Sequence, residues 1–302
     1  MIFMPFLPLF NGLRGLAMLQ YFVKENKCSV FENGTLPQLL YLCNTETMQE
    51  YFPRLMHKHD DRVEIVFIVK GKGSHLIGNE KYQTKAGDIL IFNQGVLHDE
   101  VAEIGSDMTV YCCGINGLKI KGKKQNCLLD LEYPAVLQSG QYAPRINTIL
   151  DIMDTQIKHN LHAGTEICRY LLAALITIIL QLPQKNIKMQ NNTLVLIRQV
   201  KQYIDSHYWE AISLSAVAQQ FNINPYYLSH LFKRNTGFSL IQYTLRRRIG
   251  EAQSLLINTG YSVTQIATLV GYDNINYFST VFTKMIGISP SAYRTYWIGQ
   301  NK

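Results

Sequence analysis

Residues 212–234 read ISLSAVAQQFNINPYYLSHLFKR, and this stretch decides the fold of the last third of the chain. It consists of an apolar-periodic segment, a short turn (NIN) and a second segment that begins with proline. Asn224 before that proline is a strong helix start, because its side chain accepts from unpaired N–H groups and proline has no N–H to leave unpaired. Ser213 or Ser215 can cap the preceding helix. The stretch predicts a helix–turn–helix unit over about residues 212–236.

The same pattern returns about 50 residues later as a degenerate repeat. LSAVAQQF (214–221) matches VTQIATLV (263–270) in its apolar positions, and Gly237, which ends the first unit, matches Gly287. A second helix–turn–helix unit is therefore expected over about residues 262–286. The segment between them, SLIQYTLRRRIGEAQSLL, carries one apolar stripe and predicts a rigid connecting helix. Two such units can present recognition helices to successive major grooves, which are about 34 Å apart.

The composition is that of a chain that buries a core, which excludes wholesale disorder: of 302 residues, 47% are hydrophobic and 17% are charged. At roughly 100–200 residues per domain, the length predicts two domains. The net charge is +7, and residues 190–302 hold ten basic but only four acidic residues. Nearly all excess positive charge thus lies in the last third, which indicates a nucleic-acid-binding domain attached to a neutral sensing domain.

Residues 50–115 indicate an antiparallel β domain. The short runs VEIVFIV, SHLI, KYQT and DILIF are separated by glycine turns, which is typical of a sandwich or barrel. From about residue 145 the apolar spacing becomes three to four residues and predicts helices, the second of them from about Thr165 to Leu182. The polar stretch PQKNIKMQNN that follows predicts a linker.

No segment is predicted to cross a membrane. The apolar start, MIFMPFLPLFNGLRGLAML, lacks a basic n-region and is interrupted by prolines, so it matches a signal peptide poorly, and Met18 is an alternative start. The run LLAALITIIL (171–180) gives about 15 Å of helix against a bilayer of about 30 Å, and predicts a buried helix or a dimer seam. The cysteines include no CxxC pair, which favours free thiols in the cytoplasm. They are Cys28, Cys43, Cys112, Cys113, Cys127 and Cys168.

The C-terminal part of the chain resembles the AraC/XylS family of transcriptional regulators. The resemblance is carried by the stretch quoted above and by YFSTVFTKMIGISPSAYR (277–294), with its aromatic-rich helix, glycine, Pro-Ser and Tyr-Arg.

The N-terminal part resembles the cupin-like effector domain of the same family. His57, His59, Glu64 and a following glycine stand at the spacing of the first cupin motif, and GDILIFNQGVLH, which ends at His98, resembles the second. Asn93 is a departure, because the family often has proline there.

The resemblance implies an α+β chain with two domains, a cupin-like antiparallel β-barrel with flanking helices and an all-α double helix–turn–helix domain. The expected segments are an uncertain extension (1–22), the effector-binding domain (23–144), a helical dimerisation segment (145–182), a linker (183–192) and the DNA-binding domain (193–298). The implied partners are double-stranded promoter DNA, a small-molecule effector with a sugar as the expected class, RNA polymerase and a second copy of the chain. Activation is expected rather than repression, with no cofactor and no membrane.

The predicted DNA contacts are the residues that the core leaves exposed on each recognition helix. Spacing assigns Leu228, Leu231 and Phe232 to the core of the first unit, and Phe278, Val281 and Phe282 to that of the second. The predicted contacts are Tyr226, Ser229, His230, Lys233, Ile275, Asn276, Ser279 and Thr280, at positions that match the family's DNA contacts. Serine, histidine and asparagine can bond base edges, isoleucine can touch a thymine methyl, and lysine holds phosphate. A second unit that contacts only the DNA backbone is the alternative.

Three arginines in a row, Arg246, Arg247 and Arg248, lie on the predicted connecting helix. They cover about 300° of a helix, so they cannot all meet one phosphate strand. At least one is expected to pair with Glu251 or to pack along its stem. Arg294 is expected to be structural.

His57, His59, Glu64 and His98 together make a set of three imidazoles and one carboxylate, which we interpret as lining an effector pocket. A metal site, and with it a metal-dependent cupin enzyme fused to a DNA-binding module, is the main alternative, and a structural role is another. Two arguments lower the metal alternative. Glu64 has the opposite strand parity to His59, so it needs a bulge or turn to join the site, and relatives with this histidine pattern usually bind effectors without a catalytic metal. The prediction is a regulator that is not an enzyme, with no catalytic residues and no metal.

Overall fold

The computed structural model describes residues 29–47, 52–78, 80–99, 107–130, 133–159, 162–183 and 192–299. The predicted extension (1–22) with its alternative start, Cys28 and most of the predicted linker lie outside these residues.

The N-terminal domain is an antiparallel β structure. Its strands are β1 (Gln38–Asn44), β2 (Val63–Lys70), β3 (Lys72–Ile77), β4 (Glu80–Lys85), β5 (Asp88–Phe92), β6 (Thr109–Asn116) and β7 (Val136–Gln138). One sheet has the order β1-β6-β2-β5-β7, and β3 pairs with β4 in a second. The runs recognised in the sequence correspond to β2 through β5, so the antiparallel fold is confirmed, whereas closure into a barrel stays a prediction.

β2 is buried on both faces, because helices cover one side of its sheet and the β3–β4 hairpin covers the other. Ile65 and Phe67 belong to the core shared with the helices, whereas Val66 and Ile68 belong to a separate core that includes Ile77 of β3. Successive strand residues point to opposite faces. Two covered faces therefore explain why VEIVFIV is a continuous apolar run.

Two helices, α1 (Ala143–Lys158) and α2 (Gly164–Leu180), pack against each other and against β1. Leu172, Leu175, Ile176 and Ile179 of α2 are buried in the core, so one side of the helix that carries the apolar run LLAALITIIL is buried. Among the described residues, no helix combines the length and apolar character that a bilayer span requires.

The C-terminal domain is helical, as predicted. Its helices are α3 (Asn192–His207), α4 (Leu214–Gln220), α5 (Pro225–Thr236), α6 (Leu240–Asn258), α7 (Val263–Leu269), α8 (Ile275–Ile286) and α9 (Pro290–Gly299). The pairs α4–α5 and α7–α8 are the two helix–turn–helix units, and α6 connects them.

The helix ends follow the residues that the sequence singled out. The Ser213 hydroxyl, rather than that of Ser215, caps α4 by accepting from the N–H of Ala216 at 3.2 Å. Gly237 and Gly287 end α5 and α8 with φ of 83° and 101°, the left-handed conformation that glycine adopts without steric cost.

A short segment of the N-terminal domain, residues 52–56, lies on α6, and we call it the docking strap. The Gln253 side chain of α6 donates to the carbonyl of Pro53 at 2.9 Å and accepts from the N–H of Leu55 at 3.0 Å. Leu55 is buried in the core of the second unit, and Met56 in the core of the first. The strap therefore joins the N-terminal domain to both halves of the DNA-binding domain.

Candidate functional site

The first recognition helix, α5, presents the predicted contact residues to solvent. Tyr226 is 74% exposed, and its ring centroid lies 4.4 Å from that of His230, which is also exposed. Ser229 is half-buried and Lys233 is exposed on the same helix. The core side of α5 is formed by residues such as Leu228, which is fully buried. The Asn224 carboxamide oxygen caps the helix by accepting from the N–H groups of the two following tyrosines at 2.8 and 3.3 Å.

The second recognition helix, α8, repeats this arrangement with different side chains. Asn276 and Thr280 are exposed and Ser279 is half-buried. The Asn274 carboxamide oxygen accepts from two backbone N–H groups at 2.9 and 3.0 Å, as Asn224 does in α5. Ile275 differs from the expectation, because it packs against the core of the second unit and leaves less of its side chain for a thymine methyl.

Four further exposed residues occupy equivalent positions in the two recognition helices, and sequence reasoning did not select them. Tyr227 and Tyr277 are 51% and 57% exposed, and Arg234 and Lys284 are exposed near the helix ends. The repeat spacing of 50 residues after the turn pairs each member with its equivalent. The 50-residue repeat was therefore the sequence signal that could have identified these four residues.

The three consecutive arginines of α6 each make contacts within the chain. Arg247 pairs with Glu251 at 2.8 Å and lies over the ring of Tyr208, which confirms the expected pairing. Arg246 pairs with Asp99 of the N-terminal domain at 2.6 Å. Arg248 donates to three backbone carbonyls at 2.6–2.8 Å, those of Tyr208, Glu210 and Gly271.

Arg294 and Lys201 are also engaged internally. Arg294 donates to the carbonyls of Leu256 and Tyr261 at 3.1 and 2.6 Å, so its predicted structural role is confirmed. Lys201 donates to the carbonyl of Gly78 at 2.6 Å. Together with the arginine run, at least half of the ten basic residues counted in the last third therefore make intramolecular contacts. Net charge alone overstated the charge that this domain offers to DNA.

A polar network between α3 and α6 lies beside that Lys201 contact. The Tyr243 hydroxyl donates to a carboxylate oxygen of Asp205 at 3.1 Å, and Lys201 is one turn away on the same helix. Burial raises the pKa of Asp205 to about 6 against the opposing effect of nearby Arg247 and Lys201. Burial also lowers the pKa of Lys201 to about 8. Burial therefore disfavours the charged forms of both the Asp205 carboxylate and the Lys201 ammonium group, although both are charged near neutral pH.

The sensor residues predicted in the N-terminal domain do come together. His57, His59, Glu64 and His98 each offer a ligand atom, and these atoms all lie within 4.8 Å of one another. None of the four side chains is more than 8% exposed. His57 and His98 are held face to face by a backbone pairing, with hydrogen bonds of 3.0 and 2.9 Å in opposite directions. We call the four residues the His₃Glu cluster.

Glu64 joins the cluster despite its parity. The chain bends between His59 and the start of β2 at Val63, so strand alternation does not run through this segment. The Glu64 carboxylate oxygens lie 3.1 Å from Nε2 of His59 and 3.3 Å from Nε2 of His98, and one of them accepts a hydrogen bond from the Tyr41 hydroxyl. Glu64 therefore reaches the site through a bend in the chain, as the parity argument required.

Two of the imidazoles are oriented by backbone carbonyls. Nδ1 of His57 lies 2.8 Å from the carbonyl oxygen of Leu55, and Nδ1 of His98 lies 2.9 Å from that of Val96. Because a carbonyl only accepts, Nδ1 carries the proton in both rings, and Nε2 of each neutral ring has the lone pair. Burial, then the nearby Arg54 and the other histidines, hold the pKa of His57 well below its usual value.

Asn93, which stands where the family often has proline, makes two hydrogen bonds to a neighbouring loop. Its side chain donates to the carbonyl of Leu129 at 2.6 Å and accepts from the N–H of Leu128 at 2.8 Å. Asn93 therefore ties the end of β5 to the 126–129 loop through its side chain, whereas a proline has no side-chain group that could form these hydrogen bonds.

Two family matches follow the two-domain order of this architecture. Residues 40–171 match the family described as AraC-like ligand binding domain, and residues 217–296 match the family described as helix-turn-helix domain. The chain belongs to the AraC family of transcriptional regulators.

Relatives of this AraC-family regulator match along most of its length. It is 28% identical over 242 residues to the uncharacterised HTH-type transcriptional regulator YdiP of Escherichia coli K12, with 79% of this chain and 80% of that protein covered. It is 28% identical over 238 residues to the lactose operon transcription activator of Staphylococcus xylosus, with 78% and 84% covered. These relatives are regulators, and this AraC-family chain is a DNA-binding regulator rather than an enzyme.

Among solved structures, the C-terminal domain of AraT, a response regulator from Geobacillus stearothermophilus, is 38% identical to this chain. The match covers 33% of this chain and 84% of that one, with a TM-score of 0.33.

Proposed function

We propose that this regulator is a ligand-responsive, cytoplasmic transcription activator that inserts α5 and α8 into successive major grooves of promoter DNA. The observation that carries the proposal is the matched pair of recognition helices. Each begins at an asparagine cap, ends at a left-handed glycine and turns a polar side to solvent. Both share a hydrophobic core with residues of α6.

The two recognition helices, α5 and α8, contact DNA through different side chains. On α5, Ser229 and His230 read base edges and Tyr226 packs beside them, because all three lie within the first turns of the helix on its exposed side. Lys233, farther along α5, holds a phosphate.

On α8, Asn276 pairs with adenine, while Ser279 and Thr280 bond bases or phosphates. Ile275 contributes less than these, since it packs partly against the core.

Dimerisation is assigned to one side of α2. Ile167, Leu171, Ala174 and Ile178 follow a spacing of four, three and four residues, and each is at least partly exposed. A stripe of this spacing is typical of a helix that packs against a partner helix. We call it the α2 stripe, and a second copy of the chain is its proposed partner.

Activation through RNA polymerase has support from one relative, whose name describes a lactose operon transcription activator. The same name is the support for a sugar as the effector class. We assign effector binding to the His₃Glu cluster. It is the predicted effector pocket, and it lies beside the contacts between the two domains.

Footprinting of the pure protein on the DNA upstream of its own gene tests the DNA-binding part. Two protected windows about one helical turn apart on one DNA face are expected for each subunit. Protection of a single window would contradict insertion of both helices. Transcription in vitro with RNA polymerase tests activation, and repression of the same promoter would contradict it.

A further inference from the structure

We propose that Cys43 and Cys112 form a reversible disulfide bond inside the N-terminal domain when the chain meets a hydroperoxide. The two cysteines lie on neighbouring strands, β1 and β6. They share the face of the sheet on which Glu64 joins the His₃Glu cluster. The inference concerns a covalent modification of the β domain, so it does not depend on the DNA contacts proposed for α5 and α8.

The pairing of β1 with β6 places the two cysteines directly opposite each other. The strands run antiparallel, and Cys43 is the register partner of Cys112. Directly opposite residues of an antiparallel pair have Cα atoms about 4.5–5.5 Å apart, and a disulfide bond spans Cα atoms about 4.4–6.8 Å apart. Both residues are thiols in the structure. The backbone spacing therefore already fits the bond.

The contacts of neighbouring residues show that the two thiols share one face of the sheet. Leu42 and Asn44, which flank Cys43, both point toward the helices. Leu42 packs against the core shared with the helices, and Asn44 donates to Asp154 of α1 at 3.4 Å. Because successive strand residues point to opposite faces, Cys43 points the other way. Cys112 packs on that other face, against the core between the sheet and the β3–β4 hairpin.

Cys113, the next residue of β6, is a poor competitor for Cys43. Its side chain is fully buried on the helix side of the sheet, and its register partner is Leu42. Burial, with smaller effects from nearby thiols, raises the pKa of Cys113 well above its ordinary value. Since the thiolate is the reactive form of cysteine, Cys113 is expected to stay reduced. Cys43 and Cys112 are only half-buried, so a small oxidant can reach them.

The bond requires a two-electron oxidant, and a hydroperoxide supplies it. One thiolate attacks the O–O bond, so that an S–O bond forms, the O–O bond breaks and the departing oxygen takes up the thiol proton as an alcohol or as water. The second thiol then attacks the sulfenic sulfur, an S–S bond forms and water leaves. Two thiols and one hydroperoxide thus give one disulfide, one alcohol and one water. Cytosolic thiols reverse the bond by thiol–disulfide exchange.

The disulfide draws β1 toward β6 beside the His₃Glu cluster. Directly opposite residues have Cβ atoms about 4.5–5.5 Å apart and a disulfide needs about 3.5–4.5 Å, so the strands approach by about 1 Å. The strand that moves is β1, because it lies at the end of its sheet. Two residues away on the same face, the Tyr41 ring lies against Gly114, and the Tyr41 hydroxyl donates to Glu64. Oxidation therefore fixes the strand that holds Tyr41 on Glu64.

The first experiment maps the bond in the full-length, reduced protein after treatment with hydrogen peroxide. Remaining thiols are blocked with N-ethylmaleimide, and the digest is analysed by mass spectrometry. One cross-linked peptide pair that joins Cys43 to Cys112 is expected, and dithiothreitol should remove it. Two of the six thiols of the chain should be lost on oxidation. A digest in which the peroxide-treated protein contains no such pair, or contains mainly another pair, would overturn the proposal.

Single variants assign the bond to its two residues. Cys43→Ser and Cys112→Ser, each shown to be folded by circular dichroism, should keep all five remaining thiols under the same peroxide treatment. The matched control, Cys127→Ser, removes another half-buried cysteine and should form the bond as the wild type does. Cys113→Ala should also form it, so this variant and the wild-type map decide the question even if a serine variant does not fold. Equal thiol loss in Cys43→Ser and wild type would overturn the assignment.

Hydrogen exchange tests the effect of the bond on β1. In the oxidised wild type, the amides of β1 should exchange at least threefold more slowly than in the reduced protein, because the bond holds this strand on β6. The amides of β7, at the other end of the sheet, should exchange at the same rate in both forms. Peroxide should not slow β1 exchange in Cys43→Ser. Equal exchange of β1 in oxidised and reduced wild type would show that the bond does not fix the strand that carries Tyr41.

Discussion

Ser229, which is half-buried, and His230, which is exposed, lie next to each other on α5, and both are proposed to read base edges. Replacing both with alanine should weaken binding to the operator by about 1–3 kcal/mol per lost base contact and leave random DNA unaffected. Fluorescence anisotropy with operator and scrambled duplexes measures both. Ser291→Ala, an exposed serine on α9, is the control. An equal loss on both duplexes would show that these residues do not read bases.

Lys233 should act on DNA without regard to sequence. Removing its charge with Lys233→Ala should weaken operator and random DNA alike, and should reduce the slope of log affinity against log salt by about 1, because one counterion fewer is released. Titrations at several salt concentrations give the slope. A slope equal to that of the wild type would contradict a phosphate contact.

Asp205 should make the stability of the protein depend on pH. Its folded pKa, about 6, lies above the ordinary value of 3.8, so the folded state holds a proton that the unfolded state has lost. Stability contributed by this group is therefore present below about pH 4 and falls as pH rises to about 6, by about 2–3 kcal/mol at most. Asp205→Asn should remove that slope from denaturant unfolding measured across this range. Asp273→Asn, an exposed carboxylate in the same domain, should preserve it.

At the scale of elements, α6 is the helix on which the architecture depends. It connects the two recognition units, receives the docking strap and carries the three arginines with their internal partners. Gly250 permits the close approach of the strap, because a Cβ at this position would collide with the carbonyl of Met56.

Gly250→Ala should therefore destabilise the chain even though alanine favours helix. Alanine gains about 1 kcal/mol in helix propensity, but displacement of the buried strap costs about 1–3 kcal/mol and exposes Leu55 and Met56. Denaturant unfolding measures the change in stability, and hydrogen exchange of the strap measures its displacement. Ser254→Ala, one turn farther along α6, is the control. A more stable variant with a protected strap would contradict this packing.

At the scale of the whole molecule, the α2 stripe should join two copies of the chain. Ile167→Glu places a charge on the exposed part of the stripe and should convert a dimer to a monomer in sedimentation velocity, since a buried unpaired carboxylate is costly. Thr165→Glu adds the same charge two residues away, off the stripe, and should remain dimeric. Identical sedimentation of the two variants would remove α2 from the interface.

Much of the helical domain could be predicted from the sequence. Helix caps act within three or four residues, and apolar periodicity acts within one helix, so Asn224, Gly237 and the repeat placed α4 through α8 correctly. The strands β2 through β5 were found for the same reason, since tight turns separate them. β1 and β7 were not, because their partners β6 and β5 lie 40 or more residues away along the chain.

The sequence by itself determined that two equivalent helix–turn–helix units follow an antiparallel β domain, and that each recognition helix has a buried and a solvent-facing side, because these properties depend on neighbours within a few residues. Only the tertiary structure decided that Arg246 pairs with Asp99 and that the docking strap lies on α6. Those contacts join residues that are distant in the chain, and their geometry depends on how the two domains pack. No local pattern of charge or periodicity carries that information.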